Sequence, residues 1–304
     1  MEPNILVGTS GGLWHLAGER ATPVEALAGH TVTALATDGP HAAWAVVDGA
    51  TLWESRDGAW TSRAWLEGAP ATCVAATSAG PLLGTEQAHL VRLVGGRFTG
   101  VESFERVEGR AAWYTPWGDP ADVRSIAVGP DGALYVNVHV GGVARSRDGG
   151  ASWTPTIDIE TDVHQVLAHP SRPEIVLVAS AEGFGVSRDG GDTWQFATAG
   201  LHAHYLRAVA VAGEHVVISA SAGFHGRRSG LYRKHLDEGP RFERCAAGLP
   251  RWFDDNIDTA CLVAADSLVV FGTSDGRVFR SLDSGTHWDL AVKGLPPIGC
   301  VALA

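Results

Sequence analysis

The stretch SRDGGASW at residues 146–153 returns twice in closely similar form. Residues 187–194 read SRDGGDTW and residues 281–288 read SLDSGTHW, so all three share the pattern S-x-D-x-G-x-x-W. In a tight turn of this kind the aspartate accepts backbone N–H bonds, the glycine supplies a positive φ, and the tryptophan packs between adjacent strands. The pattern predicts structural turns built on Asp148, Asp189, Asp283, Trp153, Trp194 and Trp288.

Two positions depart from this pattern. Residues 55–60, SRDGAW, form a copy that is two residues short and contains Asp57. The third full copy carries His287 where the other two have Ser152 and Thr193. Because the pattern organises a turn and contains no reactive constellation, it indicates a fold and not a reaction.

A second repeat runs through the chain with spacings of 39 to 52 residues. Its order is apolar, variable, small, apolar, small, and its seven copies begin at residues 32, 71, 123, 163, 206, 257 and 298. Each copy except the last is followed by a Gly/Pro/Asp turn and further short strand patterns. A four-stranded antiparallel unit of about 40 residues is a propeller blade. The sequence therefore predicts an all-β, seven-bladed β-propeller.

The last copy leaves too few residues for a blade of its own, so the two ends of the chain are expected to share one. Residues 5–9, ILVGT, match the second-strand pattern LLGT at residues 82–85. Pairing the terminal strands removes an exposed sheet edge. We therefore expect one propeller domain over residues 1–304, with blades at 298–304 plus 1–31, 32–70, 71–122, 123–162, 163–205, 206–256 and 257–297.

The S-x-D-x-G-x-x-W turns resemble the Asp-box, also called the bacterial neuraminidase repeat. This resemblance covers nearly the whole chain as architecture, and similar turns occur in sialidases, xyloglucan hydrolases, sortilin-type receptors and the photosystem II assembly factor family. It implies a propeller without choosing a function. Sialidase activity is disfavoured, because the F/Y-R-I-P motif and an evident tyrosine–glutamate pair are absent from the sequence.

Charge and composition exclude several classes of partner. The net charge of −11 and the pI near 5.6 argue against binding to nucleic acid, which depends on Lys and Arg neutralising phosphates. No apolar run is long enough for a membrane span, and no secretory signal pattern begins the chain, so a cytoplasmic monomer is expected. The four cysteines lack CxxC spacing, so neither a zinc site nor a disulfide framework is expected, and the three in apolar strand patterns are expected to be buried free thiols.

Ionisable residues recur at the second position of the first-strand repeat. That position holds Thr33, Thr72, Arg124, His164, Arg207, Asp258 and Gly299, in strands otherwise built of small and apolar residues. Neighbouring loops add further candidates on the same predicted face: Asp122, His139, Asp162, His204, His225, Arg227 and Asp255. Two longer loops carry Trp113, Trp117, Trp252 and Phe253. The simple alternative is that polar side chains in a propeller channel only form hydrogen bonds with water and with buried backbone groups, and that the aromatic rings cover the blades.

The functional interpretation is one pocket at the channel mouth, formed by Arg124, His139, His164, His204, Arg207, His225 and Asp258. Arg124, Arg207 and Arg227 would bind polar or anionic groups of a small-molecule or glycan ligand, with Trp117, Trp252 and Phe253 stacking on it. His164 would act as acid or base with Asp162 or Asp258 orienting it. His139, His204 and His225 are candidate ligands of a divalent metal.

The sequence leaves the function open between two classes. One is a hydrolase or lyase acting on a small polar or glycan-like substrate; glycoside hydrolysis would need two carboxyl groups, drawn from Asp122, Asp162, Asp255 and Asp258. The other is a scaffold or assembly factor that binds a partner protein and catalyses nothing.

Overall fold

The computed structural model describes residues 4–39 and 41–304; residues 1–3 of the predicted first blade and residue 40 of the predicted second blade lie outside it. Within the described part, the chain forms seven four-stranded antiparallel sheets. The predicted all-β, seven-bladed β-propeller is therefore confirmed.

The strands are short, as the frequent turns require. Those of the first three sheets are β1 (Ile5–Thr9), β2 (Gly12–Ala17), β3 (Arg20–Pro23), β4 (Val32–Thr37), β5 (Ala42–Val47), β6 (Thr51–Arg56), β7 (Ala59–Trp65), β8 (Ala71–Thr77), β9 (Gly80–Thr85), β10 (Leu90–Val94) and β11 (Arg97–Gly100). The fourth and fifth sheets contain β12 (Val123–Val128), β13 (Leu134–Val138), β14 (Gly142–Ser146), β15 (Thr154–Pro155), β16 (Val163–Ala168), β17 (Val176–Ser180), β18 (Gly183–Ser187) and β19 (Gln195–Ala197).

The last two sheets contain β20 (Tyr205–Ala212), β21 (His215–Ser221), β22 (Gly230–His235), β23 (Glu243–Arg244), β24 (Leu262–Ala265), β25 (Leu268–Gly272), β26 (Val278–Ser281) and β27 (Asp289–Val292), and the chain ends with β28 (Ile298–Leu303). Short 3-10 helices connect strands at Glu25–Leu27, Glu86–Ala88, Phe104–Arg106, Arg110–Ala112 and Ile159–Thr161. No helix in the described ranges is long and apolar enough to cross a membrane.

Strand β28 joins the first sheet, whose order is β28-β1-β2-β3. It pairs antiparallel with β1, with Ile5 opposite Leu303 and Val7 opposite Val301. The expected closure of the first blade by the end of the chain is thus confirmed. In the other six sheets the four strands follow chain order from one edge to the other.

A glycine near the end of the second strand lets the next blade approach closely. A Cβ atom at Gly84 in β9 would lie 2.3 Å from Cγ1 of Val123, the first residue of β12. A Cβ at Gly272 in β25 would lie 2.5 Å from Cγ2 of Ile298 in the same way. The glycine of the second-strand pattern is therefore required by packing between blades.

One compact unit comprises the described residues up to Val32 together with Ala179–Gly185 and Phe196–Leu303. Aromatic rings fill part of its core. Phe271 stacks on Phe279 with 5.0 Å between ring centroids, and the Trp288 ring lies 5.2 Å from that of Phe271 at an angle of 72°. Such contacts add to the free energy gained by burying the rings.

The other compact unit comprises Thr33–Val178, Val186–Gln195 and Ala304. One of its core clusters centres on Phe104, which is fully buried. The Phe104 ring lies 5.1 Å from Trp153 in an edge-to-face arrangement and 5.6 Å from Trp113. Trp113, a loop residue for which both covering a blade and facing a ligand were open, therefore packs on the core.

The S-x-D-x-G-x-x-W stretches form hydrogen-bonded turns between the third and fourth strands of their sheets. In the first, Oδ1 of Asp148 accepts from the backbone N–H of Ser152 at 2.9 Å and from the Ser146 hydroxyl at 2.7 Å. Gly149 and Gly150 have positive φ values of 69° and 95°. The turn at Asp189 repeats these contacts: the Asp189 carboxylate accepts from the backbone N–H and from the hydroxyl of Thr193.

The two departures from the pattern differ in structure. At the third turn, Nδ1 of His287 lies 2.8 Å from Oδ2 of Asp283, so the imidazole takes the place of the missing hydroxyl. Asp57 and Gly58, by contrast, form a two-residue hairpin turn with φ values of 49° and 83°. Positive φ at both central residues is typical of a type I′ turn, so Asp57 does not organise the longer loop that Asp148 does.

Candidate functional site

Arg124 is aimed by a break in strand register. Strand β12 alternates buried and half-buried residues, and its pairing with β13 shifts between Val123 and Ser125, so Arg124 lies at a β-bulge. A bulge bends the strand and re-aims one side chain. The same shift occurs at Thr72 in β8 and after Leu206 in β20. The second position of the first-strand repeat is therefore irregular in several blades, which explains its unusual residues.

The Arg124 guanidinium contacts the imidazole of His139, which directly follows β13. Nη2 of Arg124 lies 2.8 Å from Nε2 and 3.0 Å from Nδ1 of His139. Arginine is always protonated and only donates, so the ring nitrogen that it contacts must accept. His139 is 3% exposed, and its neutral form is the one that suits this contact.

Asp162 lies between the two histidines. Its Oδ1 is 3.8 Å from Nε2 of His139, and its Oδ2 is 3.4 Å from Nε2 of His164. Asp162 follows the short helix Ile159–Thr161 and has a φ of 45°, a left-handed conformation that aspartate tolerates better than most residues. The helix starts at Asp158, whose side chain accepts from the Glu160 backbone N–H. This local geometry fixes where the Asp162 carboxylate points.

The surroundings of Asp162 favour its ionised form. Burial by itself would raise the pKa of this carboxyl, but the hydrogen bond and charge of His164 and the charge of Arg124 outweigh it, and the pKa is lowered. The carboxylate therefore remains negative at neutral pH. Its side chain keeps 24% of its surface exposed, whereas that of His164 has none. A ligand that reached this cluster from solvent would meet Asp162 before His164.

Trp117 covers His139 from the insertion between β11 and β12. The two ring centroids are 4.8 Å apart, and 63% of the Trp117 surface remains exposed. The neighbouring Tyr114 hydroxyl donates to the carboxylate of Glu160 at 3.2 Å. Arg124, His139, Asp162, His164 and Trp117 thus form one contiguous cluster, here called the Asp162 cluster, with an exposed aromatic face and a buried ionic base.

Arg207 and Asp258 form a separate ion pair. Nε of Arg207 lies 2.7 Å from Oδ1 of Asp258, and its Nη1 donates to the Tyr205 hydroxyl at 3.3 Å. Burial would lower the pKa of Arg207, but the charge of Asp258 and the contact with Tyr205 raise it overall. The predicted anion-binding arginine is therefore already paired with a carboxylate.

Asp258 itself does not lie in a strand. The sixth copy of the first-strand repeat, at residues 257–261, was expected to be β-structure, but β24 begins only at Leu262. Ala260 has a φ of 65°, and the Cys261 N–H bonds to the Asp258 carbonyl at 3.0 Å. A turn there replaces the first strand residues, so this part of the prediction was wrong.

The two aromatic residues predicted from the second insertion have different environments. The Trp252 ring is half-buried between Arg244, 4.5 Å from its centroid, and His202, also 4.5 Å away. Phe253 is 4% exposed and packs edge-to-face on Phe271 in the core. Its ring is thus occupied by protein contacts and offers no face to a ligand.

Three further predicted site residues lie at the surface: His204, His225 and Arg227. The His225 ring lies 3.9 Å from the exposed ring of Phe224. Among residues 4–39 and 41–304, no group of three or more His, Cys, Asp or Glu side chains is arranged to hold a metal ion. The metal-binding role of His139, His204 and His225 stays a prediction.

Each carboxylate proposed for glycoside hydrolysis has its own partner. Oδ1 of Asp122 accepts from the Gln87 backbone N–H at 3.1 Å, and Oδ2 of Asp255 accepts from the Ser274 hydroxyl at 2.6 Å. Asp258 binds Arg207, and Asp162 faces the two histidines. Asp162 is the one that combines an ionised carboxylate with an arginine, an imidazole and an exposed tryptophan.

Sequence reasoning missed Arg244, which contacts Trp252, and Tyr232, which contacts the neighbouring His202. Tyr232 and Arg244 lie on strands β22 and β23, and the Tyr232 hydroxyl is 2.7 Å from Nδ1 of His202. Neither residue stands at a repeated position, so periodicity gave no signal. The local excess of arginine at residues 227–251 was the only available hint.

No family model matches this sequence, and no curated protein matches it. Solved structures do match its fold. A periplasmic gluconolactonase from Pseudomonas aeruginosa, PpgL, has a TM-score of 0.64 and 13% identity over 99% of each chain. An ancestral GH74 enzyme has a TM-score of 0.64 and 16% identity over 99% of this chain but 40% of its own.

A third similar structure is YCF48 bound to a D1 peptide. It has a TM-score of 0.57 and 14% identity, covering 92% of this chain and 86% of its own. The three similar proteins include enzymes and a peptide-binding protein, and identities this low establish the shared propeller fold alone.

Proposed function

We propose that this propeller binds a small polyhydroxylated ring, such as a sugar or a sugar lactone, at the Asp162 cluster. The observation that carries the proposal is an ionised, partly exposed carboxylate held between two imidazoles, one of which also contacts Arg124 and an exposed indole. Sites for small molecules commonly combine an aromatic wall with a few fixed polar groups.

The chemistry of the cluster matches a neutral polar ligand. Arg124 is positive, Asp162 is negative, and the contact with Arg124 favours a neutral His139. The opposite charges of Arg124 and Asp162 therefore largely balance. A sugar hydroxyl could donate to Asp162 and accept from Arg124, while the apolar face of the ring lies on Trp117. A strongly anionic ligand would bind more weakly than a neutral one, because Asp162 would repel it.

We further propose that any catalysis here is hydrolysis of a lactone or ester. That reaction requires a group to accept a proton from water and a positive charge to stabilise the oxyanion. The Asp162 carboxylate could take the water proton and return it to the leaving oxygen, with His139, 3.8 Å away, helping to hold it in place, while Arg124 stabilises the oxyanion. Only one carboxylate is required, whereas glycoside hydrolysis needs a second. The gluconolactonase PpgL shares the fold, which supports trying this substrate class first.

The assignment of His164 changes in this proposal. Because its side chain is fully buried beneath Asp162, His164 is proposed as the residue that orients Asp162 and not as the acid or base. Asp162, Arg124 and Trp117 are proposed to contact the ligand. The predicted roles of Arg207 and Asp258 are not part of this site, since the two residues pair with each other.

Ligand-observed NMR with glucose and glucono-lactone tests the binding proposal. Trp117→Ala and Asp162→Asn should each weaken binding about tenfold or more, whereas Phe196→Ala, which removes another exposed aromatic ring, should leave it unchanged. Lactone hydrolysis, followed by acid release, should be lost in Asp162→Asn and kept in Asp258→Asn. Absence of saccharide binding, or equal binding by the Trp117 and Phe196 variants, would refute the proposal.

A further inference from the structure

Two adjoining cavities lie along the outer strands of the second and third sheets. The first has a volume of about 350 Å³ and is lined by residues that include Leu66, Leu90, Val101, Glu102 and Glu105. The second has a volume of about 550 Å³ and is lined by Trp65, Phe98 and Arg97 among others. They share Leu66, Glu67 and Val91, so they form one continuous groove.

The first cavity combines apolar walls with acidic groups. Glu105 is bound by Arg110 at 2.8 Å and by His89 at 2.9 Å, so its charge is compensated. Glu67 and Glu102 are exposed, and neither forms an ion pair within the described ranges. Lysine and arginine have an apolar stem and a cationic head, which matches a cavity with apolar walls and free carboxylates.

The second cavity offers an apolar contact beside two sheet edges. Trp65 ends β7 and is 66% exposed. Strands β7 and β11 are each the last strand of their sheet, so each presents unpaired backbone groups along the groove. An extended peptide can add to such an edge, with alternate side chains entering pockets on one face.

We propose that this groove binds an extended segment of a partner protein, with a lysine or arginine in the first cavity and an apolar side chain on Trp65 and Phe98 in the second. Charge complementarity points to a basic partner, because the chain carries a net charge of −11 and the groove presents the carboxylates of Glu67 and Glu102 against one exposed arginine, Arg97. In an extended strand, side chains two residues apart share a face roughly 7 Å apart, so the recognised pattern is apolar-x-basic. This proposal is independent of the Asp162 cluster.

A synthetic peptide array that samples all residues around a fixed apolar position tests it. The purified protein should select arginine or lysine two positions away, and binding should weaken with salt. The double variant Glu67→Gln, Glu102→Gln and the variant Trp65→Ala should each lose about tenfold in affinity for the selected peptides. Glu108→Gln removes an exposed acid outside both cavities and should bind like the original protein.

Two results would overturn the proposal. Selection without a basic residue, or unchanged selection by the double variant, would show that the groove does not recognise a cation. Competition by free argininamide as strong as that of the peptides themselves would show that the ligand is a small amine and not a polypeptide. Thermal melting of each variant checks that folding is retained, as expected for exposed side chains.

Discussion

Oδ2 of Asp162 lies 3.4 Å from Nε2 of His164, an imidazole with no exposed surface. The Asp162 side chain thus contacts the buried His164 ring and keeps about a quarter of its own surface exposed. This arrangement places the carboxylate 3.8 Å from His139 and near enough to Arg124 for the arginine charge to lower its pKa. The predictions below follow from this cluster and from the propeller that holds it.

Asp162 should titrate below the ordinary aspartate range of about 4. Because the charge of Arg124 helps lower its pKa, Arg124→Met should raise that pKa, and ¹³C NMR of the carboxyl group measures the change. A carboxyl group with a lowered pKa in the folded state stabilises the fold at pH values above its unfolded-state pKa. This contribution to stability is lost as the pH falls through the folded-state pKa. The stability lost in Asp162→Asn should therefore be largest near pH 7 and shrink in acid. A pH-independent difference would contradict this.

The turn aspartates should affect stability and not ligand binding. Hydrogen bonds from Ser152 and Ser146 lower the pKa of Asp148 to about 2. Its contribution to the stability of the fold is therefore present above about pH 4 and is lost as the pH falls towards 2. Asp148→Ala and Asp189→Ala should lower Tm by several degrees at pH 7, because they leave turn N–H groups without acceptors. Calorimetry measures this; an unchanged Tm would show that the turns tolerate the loss.

The third turn offers a matched substitution. Since His287 occupies the position of Thr193 in the second turn, His287→Thr should restore a hydroxyl bond to Asp283 and keep Tm close to the original. His287→Ala should lower it. If His287→Ala melted at the Tm of the original protein, the imidazole contact would contribute nothing to stability.

Removal of residues 298–304 should prevent stable folding. That segment supplies the whole of β28, which pairs with β1, and it buries Ile298, Cys300 and Val301. The truncated chain would expose an unpaired sheet edge and apolar core surface. Circular dichroism should show a cooperative transition only for the full chain and for a control lacking Ala304. A truncated protein that melts like the full chain would contradict the closure.

All four cysteines should be unreactive in the folded protein. They are free and buried, as the sequence predicted, and burial raises the pKa of Cys73, Cys245 and Cys261 to about 12. The thiolate is the reactive form, so a thiol reagent at pH 8 should label none of them before unfolding and all four after it. Rapid labelling of any cysteine in native protein would contradict the packing.

The fold could be predicted from the sequence because its signals are local and repeated. The turn pattern at residues 146–153 and the small-residue strand beginning at Val123 recur at blade spacing, and a repeat of about 40 residues leaves few alternatives to a blade. The exception was Asp258, where a turn at Ala260 replaced the expected strand. The spacing of the repeat alone did not distinguish a strand from a turn at this position.

The site was less predictable, because contact between side chains depends on bulges and loop paths. Sequence reasoning found Arg124, His139, Asp162, His164 and Trp117, which the structure brings into contact. It also predicted ligand contact for Phe253, which instead packs on Phe271 in the core, and it left Trp113, which packs on Phe104, open between the two roles. An aromatic residue in an insertion has the same sequence signal whether it covers the core or faces solvent.

The central claim is that a ligand occupies the Asp162 cluster, and a crystal structure after soaking with glucono-lactone or gluconate tests it most directly. The account predicts a sugar-derived ring stacked on Trp117, with a hydroxyl within about 3 Å of the Asp162 carboxylate. It also predicts that the same soak leaves this position empty in Asp162→Asn. A ligand bound only elsewhere, or equal occupancy in the variant, would contradict the account.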